Sequence, residues 1–447
     1  MTNEKYGLIG KTLVHSYSKE IHEALGRYQY QLFSLAEDEM PDFINARDFR
    51  GLNVTIPYKK DVIPLCDEVT DLARGIGAVN TLFWKNASGA GASESISQKD
   101  KILVGHNTDY EGFLYAASRA GIDFEGKGVL ILGTGGTSLM ARRAAADQNA
   151  AKIYIASRHP ETDPPSGSEI QDAGILSTVS YDQLPEIADS IDVIVNTTPV
   201  GTFPNNMQQV IRLKDFPGCQ AVIDVIYNPF KTALLLEAEK LGLKYTNGLP
   251  MLVAQATAAA GYFLGTPGAF QKENQRIIKS MKQRMGNIVL IGMPGTGKSL
   301  IGKFLAELTG KTLQDTDAKI EEEAKMTIPE IFEKEGEAGF RDRESAICKK
   351  LGKERNLIIA TGGGAILRPE NVDALRQNGT LVHITRSIDK LPTRGRPLSK
   401  NIEALKKMEA QRMPLYKAAA DITFRNNYTC SRKKLRQRVT TYILEKL

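Results

Sequence analysis

NIVLIGMPGTGKSLIGKFLAELTG, residues 287–310, decides how the last third of the chain folds. The apolar run NIVLI leads into the glycine-rich GMPGTGKS, Gly292 to Ser299, and SLIGKFLAEL follows with its apolar residues at helical spacing. A strand, a P-loop and a helix are expected. In such a loop the backbone N–H groups around Gly295, Thr296 and Gly297 cradle phosphates, Lys298 offsets charge on the β and γ groups, and the Ser299 hydroxyl reaches a magnesium ion. ATP and Mg2+ are therefore the implied ligands. By itself the motif does not separate a kinase from an ATPase or a nucleotide switch.

Toward the N-terminus, QKENQRIIKSMKQRMG is polar and basic and follows GTPGAF, so residues 266–286 read as a linker. The chain beyond it, 287–447, has the usual size of one domain. Before the linker, KGVLILGTGGTSLMARRAAADQ, AKIYIASR, SIDVIVNTTP and CQAVIDVIYNP are short β-rich runs, each followed by a helical or polar segment. This alternation predicts a doubly wound, Rossmann-type nucleotide-binding domain over 113–246. The first hundred residues alternate in the same way, with YGLIG, YQYQLFSL and GLNVTIP as strands and helices near Ile21 to Arg27 and near Phe43. They predict an α/β substrate domain over 1–112, completed by a return helix at 247–265. The segment from Asn86 to Lys101 is rich in Gly, Ala and Ser and reads as a surface loop. The fold class is α/β throughout, ending in a P-loop domain built on a parallel sheet.

Composition narrows the function. With 42% hydrophobic and 25% charged residues among 447, the chain is ordinary for a globular protein of two or three domains. No apolar run approaches the roughly 18 residues that span a bilayer, and MTNEKYGLIG has no signal-peptide pattern. A cytoplasmic protein with no membrane partner is expected. The net charge of +6 is spread along the chain rather than gathered into a stripe, which favours small anionic substrates over nucleic acid. Cys66, Cys219, Cys348 and Cys430 are scattered without a CxxC pair, so buried thiols are expected rather than disulfides or zinc.

In LILGTGGTS, Gly133, Gly135 and Gly136 lie between a strand and a helix that begins near Ser138, with Thr137 in its first turn. Such a turn suits a dinucleotide pyrophosphate, and it equally suits a tight steric bend. The next strand ends in IASRHP, placing Ser157 and Arg158 where NAD-selective folds carry an acid. A guanidinium there pairs with a 2′-phosphate, which implies NADP(H).

HSYSKEIHE, GLNVTIPYKK, GAVNTL, GHNTDYEG, YNPFKTALL and NGLPMLVAQA, in that order, resemble shikimate dehydrogenase over residues 1–270. The resemblance implies that Ser16, Ser18, Thr55, Asn80, Asp109 and Gln255 bind the hydroxyls and carboxylate of the substrate. It adds Tyr227 to the substrate set and Gly248 to the cofactor set, and makes Lys59 and Asp109 the catalytic pair. One departure is Lys19, where the family usually has proline. QDTDAKIEEEAKMTIPEIFEKEGEAGFRDRE, ATGGGAIL, TRGRPL and QRMPLYKAAA likewise resemble shikimate kinase. That resemblance implies Asp317 on the acceptor hydroxyl as base and Arg341 and Arg412 on the carboxylate. It also implies Gly363 and Gly364 presenting backbone amides, and Arg396, in a lid with Arg394, reaching the transferring phosphoryl group. Asp315 is the expected partner of the magnesium ion beside Ser299. Together the resemblances imply reduction of 3-dehydroshikimate to shikimate with NADPH, then phosphorylation of shikimate by ATP. The alternative is a quinate/shikimate dehydrogenase fused to a nucleotide-sensing module.

Overall fold

The structure, a computed structural model, describes residues 5–13, 16–86, 101–162, 174–391, 402–426 and 431–447. They form three β-sheets flanked by helices. The first sheet has the strand order Tyr30–Ser34, Tyr6–Gly10, Gly51–Val54, Thr81–Asn86, Lys101–His106, Glu68–Val69. It is mixed, because Thr81–Asn86 runs antiparallel to both of its neighbours. Asn86 pairs with Lys101; the rest of the Gly/Ala/Ser-rich segment, residues 87–100, lies outside the described set.

The second sheet is wholly parallel, ordered Lys244–Thr246, Ala221–Asp224, Val193–Asn196, Gly128–Leu132, Lys152–Ser157, Leu176–Ser180. Counted along the chain, this is the doubly wound dinucleotide-binding order. Its central strands Gly128–Leu132, Val193–Asn196 and Ala221–Asp224 are buried at every position, which explains why they read as unbroken apolar runs. Helix Gly136–Asp147 begins two residues before the expected Ser138.

The third sheet, also parallel, runs Thr312–Asp315, Leu357–Ala360, Asn287–Ile291, Gly379–Thr385, Ile422–Arg425. The P-loop leaves the fully buried strand Asn287–Ile291 and enters helix Lys298–Thr309. That strand's neighbours come later in the chain on both sides, so the loop opens at a switch in strand order, where α/β sheets bind ligands.

Two compact units result. One comprises Met1–Val200, Gln209–Phe230 and Glu237–Lys279; the other comprises Gly201–Gln208, Lys231–Leu236 and Ser280–Leu447. Two of the sequence boundaries need correction. The 112/113 boundary falls inside helix Asp109–Arg119, and the segment read as a linker contains helix Asn274–Met285. Ile277, Ile278, Met281 and Met285 of that helix are buried. Spaced by one, three and four, they form a thin apolar stripe that the surrounding charges obscure. Among the described residues no helix is long and apolar enough to cross a membrane. Cys219 and Cys348 are buried free thiols as expected, whereas Cys66 is only partly covered; Cys430 lies outside the described residues.

Two candidate active sites

In the first unit, a cavity of about 350 Å³ opens beside the mixed sheet and is lined by Ser16, Ser18, Thr55, Lys59, Asn80, Asp109, Tyr227 and Gln255. All eight residues expected to touch the substrate of the first half thus come together. Lys59 stands on the turn after strand Gly51–Val54, fixed where its carbonyl accepts from Val79 N at 2.8 Å and where the neighbouring Tyr58 hydroxyl donates to Leu35 O at 2.7 Å. Asp109 opens helix Asp109–Arg119 just past the end of strand Lys101–His106, and its N–H donates to Asn107 Oδ1 at 3.1 Å. The two meet with Lys59 Nζ 2.6 Å from Asp109 Oδ2, each side chain about a quarter exposed or less.

The neighbours of the pair are held from behind. Asn80 Oδ1 accepts from Thr108 N at 2.7 Å and from Thr81 Oγ1 at 2.9 Å, which leaves its Nδ2 as the donor group toward the cavity. Ser16 Oγ accepts from Ser18 N at 3.2 Å. The rings of Tyr17 and Tyr227 meet edge to face at 6.0 Å. Helix Gly248–Phe263 brings Gln255 in by lying close on helix Asp109–Arg119: a Cβ at Gly112 would sit 2.6 Å from Met251 O and 2.9 Å from Gln255 Cβ. Asn53 and Thr12 also line the cavity and escaped the sequence reading. Asn53 is buried and donates from Nδ2 to Asn80 O and Thr81 Oγ1, both at 3.2 Å.

At the dinucleotide turn, only Gly133 has a left-handed backbone, φ +101°. Gly135 and Gly136 have no such requirement, and a Cβ on either would meet nothing within 4 Å. Their bareness is thus not demanded by packing and leaves room for a ligand. Helix Gly136–Asp147 has no side-chain cap, so the N–H groups of its first turn, Thr137 included, suit an anion. Arg158 is exposed at the end of strand Lys152–Ser157. Ser157 is buried, and its hydroxyl accepts from His159 N at 2.9 Å, so it shapes the turn that presents Arg158. Gly248 has a packing reason of its own, since a Cβ there would lie 1.9 Å from Val225 O, and its N–H is donated to Ile226 O.

In the second unit a cavity of about 510 Å³ is lined by Gly295, Gly297, Lys298 and Ser299 of the P-loop. Asp315, Asp317, Arg341, Gly363, Gly364 and Arg412 of the expected set also line it. Gly295 and Gly297 have φ of +84° and +96°. Thr296 is buried, with its hydroxyl donated to Met293 O at 2.9 Å, so its side chain braces the loop from inside. Lys298 Nζ bonds Gly292 O at 2.8 Å and Met293 O at 3.1 Å. Ser299 Oγ donates to Asp315 Oδ2 at 2.9 Å, while Asp315 Oδ1 caps helix Thr316–Ala324 by accepting from Asp317 N at 3.1 Å. One hydroxyl and one carboxylate side by side suit a magnesium ion that takes its other ligands from phosphates and water.

The acceptor end is rich in buried charge. Arg341 NH1 bonds Glu344 Oε2 at 2.6 Å, and Arg341 NH2 bonds Glu337 Oε1 at 3.1 Å. Arg412 NH1 donates to Gly363 O at 3.0 Å. Asp317 Oδ1, Glu344 Oε1, Arg341 Nε and Arg412 Nε are all buried without a hydrogen-bond partner, a costly arrangement unless a ligand completes it. Burial first, and then the nearby Asp315 and Glu344 carboxylates, push the Asp317 carboxyl up to about 6. Burial also lowers Arg412, and the Arg341 guanidinium lowers it further. Two crowded guanidiniums invite an anion.

The triple glycine has a steric reading at each position. A Cβ at Gly362 would meet Asp317 Oδ1 at 2.6 Å and Glu344 Oε1 at 2.7 Å; at Gly363, Pro294 Cδ at 2.7 Å; at Gly364, Arg341 NH1 at 2.1 Å. Gly363 lines the cavity and offers its carbonyl to Arg412. Gly362, Glu344 and Tyr416 were not anticipated. The spacing of Arg341 and Glu344 by three, and of Met408, Arg412 and Tyr416 by four on helix Ile402–Ala419, were the available signals. Arg394 and Arg396 lie outside the described residues.

A profile described as shikimate dehydrogenase substrate binding domain matches residues 8–82, and one described as shikimate kinase matches residues 294–447. Shikimate dehydrogenase (NADP(+)) of Clostridium perfringens is 35% identical over 262 residues, 57% of this chain and 90% of the relative. Shikimate kinase of Nitrosomonas europaea is 47% identical over 145 residues, 31% of this chain and 69% of the relative. Among solved structures, shikimate 5-dehydrogenase of Thermus thermophilus in complex with NADP(H) and shikimate superposes with a TM-score of 0.51 at 28% identity, covering 62% of this chain and 99% of that one.

Proposed function

Since the chain joins a member of the shikimate dehydrogenase family to a member of the shikimate kinase family, we propose that it reduces 3-dehydroshikimate to shikimate in its first unit and phosphorylates the 3-hydroxyl of shikimate in its second. The observation that carries the reading is the gathering, in each of two cavities, of the residues one small ring acid would need. NADPH supplies the hydride and ATP, with magnesium, the phosphoryl group.

In the first cavity Ser16, Ser18, Thr55, Asn80, Tyr227 and Gln255 surround the carboxylate and hydroxyls of the ring. Lys59 gives a proton to the carbonyl oxygen as the hydride reaches its carbon, and Asp109 holds the ammonium in place through the 2.6 Å contact. Gly133, Gly135, Gly136, Thr137 and the helix behind them take the pyrophosphate, and Arg158 takes the 2′-phosphate. Replacing Arg158 by alanine is expected to raise the NADPH KM about 10- to 100-fold, the value of a charged hydrogen-bond pair, while the NADH KM stays within threefold. Steady-state kinetics with both cofactors checks this.

In the second cavity Arg341 and Arg412 grip the carboxylate. Asp317 accepts the proton of the hydroxyl as its oxygen bonds to the γ-phosphorus and the bond to the leaving ADP breaks. Lys298 and the P-loop amides hold the phosphates, and Ser299 with Asp315 orders the magnesium ion. Arg412→Ala is expected to raise the shikimate KM about 10- to 100-fold with the ATP KM unchanged; ADP release at varied shikimate measures both. A nucleotide sensor would have no use for this carboxylate clamp.

Both cofactors and the ring acid are water-borne, and we place the protein in the cytoplasm. The test of the function is direct: NADPH oxidation that requires 3-dehydroshikimate, and ADP release that requires shikimate, measured separately on the purified chain. Absence of either dependence removes that half of the reading.

A further inference from the structure

We propose that Tyr416 is a positioning residue of the phosphoryl-transfer site: by holding the Gly363 carbonyl it fixes the guanidinium of Arg412 against the acceptor carboxylate. The inference rests on the kinase reading above and extends it to a residue outside the cavity wall.

Tyr416 is fully buried. Its hydroxyl donates to Gly363 O at 2.5 Å, and Arg412 NH1 donates to the same oxygen at 3.0 Å. The two donors stand one turn apart on helix Ile402–Ala419, so they approach one acceptor from one face. Gly363 is itself wedged against Pro294 at the mouth of the P-loop. Its carbonyl is therefore a fixed point between the nucleotide loop and the acceptor clamp. Arg412 itself lines the acceptor cavity, with its Nε buried and without a partner.

The tyrosine ring is braced in turn. His383 stacks on it with centroids 4.8 Å apart and planes 16° off parallel. Burial, and then the Lys298 and Lys417 ammonium groups, hold the His383 imidazole down at about 4, so the stacked ring is neutral at working pH. The hydroxyl of Tyr416 lies far from titration because its ring is buried. Removing that hydroxyl leaves the Gly363 carbonyl with one donor instead of two, and frees both carbonyl and guanidinium to shift. A displacement of a few tenths of an ångström at a bidentate clamp weakens binding of the carboxylate before it touches the nucleotide.

The test is Tyr416→Phe on the full chain, with ADP release followed at varied shikimate and varied ATP. The shikimate KM is expected to rise three- to tenfold, with the ATP KM and the thermal midpoint of the kinase unit unchanged. A role in folding alone would move the midpoint and leave the shikimate KM in place, and that result overturns the proposal. The same change made in Arg412→Ala supplies a second reading: Tyr416→Phe should then add less than twofold to the shikimate KM, because the group it positions is gone. An effect of equal size in both backgrounds also overturns it. If the parent chain shows no shikimate-dependent ADP release, the kinase reading itself fails, an outcome separate from either of these.

Discussion

Lys59→Ala is expected to lower the turnover of 3-dehydroshikimate reduction about 10²–10⁴-fold, the range over which a positioned general acid accelerates a reaction. A ketone reduced by hydride develops alkoxide charge on oxygen, and Lys59 Nζ is the cation of the cavity wall held by a carboxylate at 2.6 Å. Alanine removes both the proton and the charge. Cofactor binding should persist, because the glycine turn and Arg158 stand on the parallel dinucleotide sheet whereas Lys59 follows a strand of the mixed one. Stopped-flow turnover together with an NADPH titration by fluorescence separates the two quantities. Turnover within threefold of the parent would remove Lys59 from the chemistry.

Asp317→Asn should lower the turnover of the kinase about 10²-fold or more, with the ATP KM little changed. Asp317 lines the acceptor cavity, its Oδ1 buried against Gly362 and without a hydrogen-bond partner. Its pH dependence follows from burial and from the Asp315 and Glu344 charges, which push the group up to about 6. The carboxylate form is the base, so activity is present above that value and falls as pH drops through it, about tenfold per unit below. A pH–rate profile of the parent should show this acid limb, and the asparagine variant should lose it. A parent profile flat from pH 5 to pH 8 would contradict the assignment.

How much of this was legible in the sequence depended on the kind of signal. The P-loop was plain because three glycines, a lysine and a serine at fixed spacing serve one backbone shape, and all three of those glycines do adopt positive φ. The dinucleotide sheet was plain because strands buried on both faces leave unbroken apolar runs. The lone glycine turn was ambiguous until the structure showed that Gly135 and Gly136 face open space. The helix Asn274–Met285 was missed because four buried apolar side chains are sparse among eight polar ones.

Supporting residues were the least visible. Asn53 lines the first cavity and is held there by Asn80 O and Thr81 Oγ1, and Glu344 lines the second and is held by Arg341. Such partners are set by tertiary approach, and the three-residue spacing of Arg341 and Glu344 is the local trace they leave. Gly362 belongs with them, since its lack of a Cβ matters only because Asp317 and Glu344 close on it.

The most direct measurement gives the purified chain 3-dehydroshikimate, NADPH, ATP and magnesium together and follows the ring acid by mass spectrometry. Two sites on one chain predict shikimate 3-phosphate, with one NADPH oxidised and one ADP released for each molecule formed, and accumulation of shikimate when ATP is withheld. Loss of 3-dehydroshikimate without a phosphorylated product in the presence of ATP, or no loss at all, would contradict it.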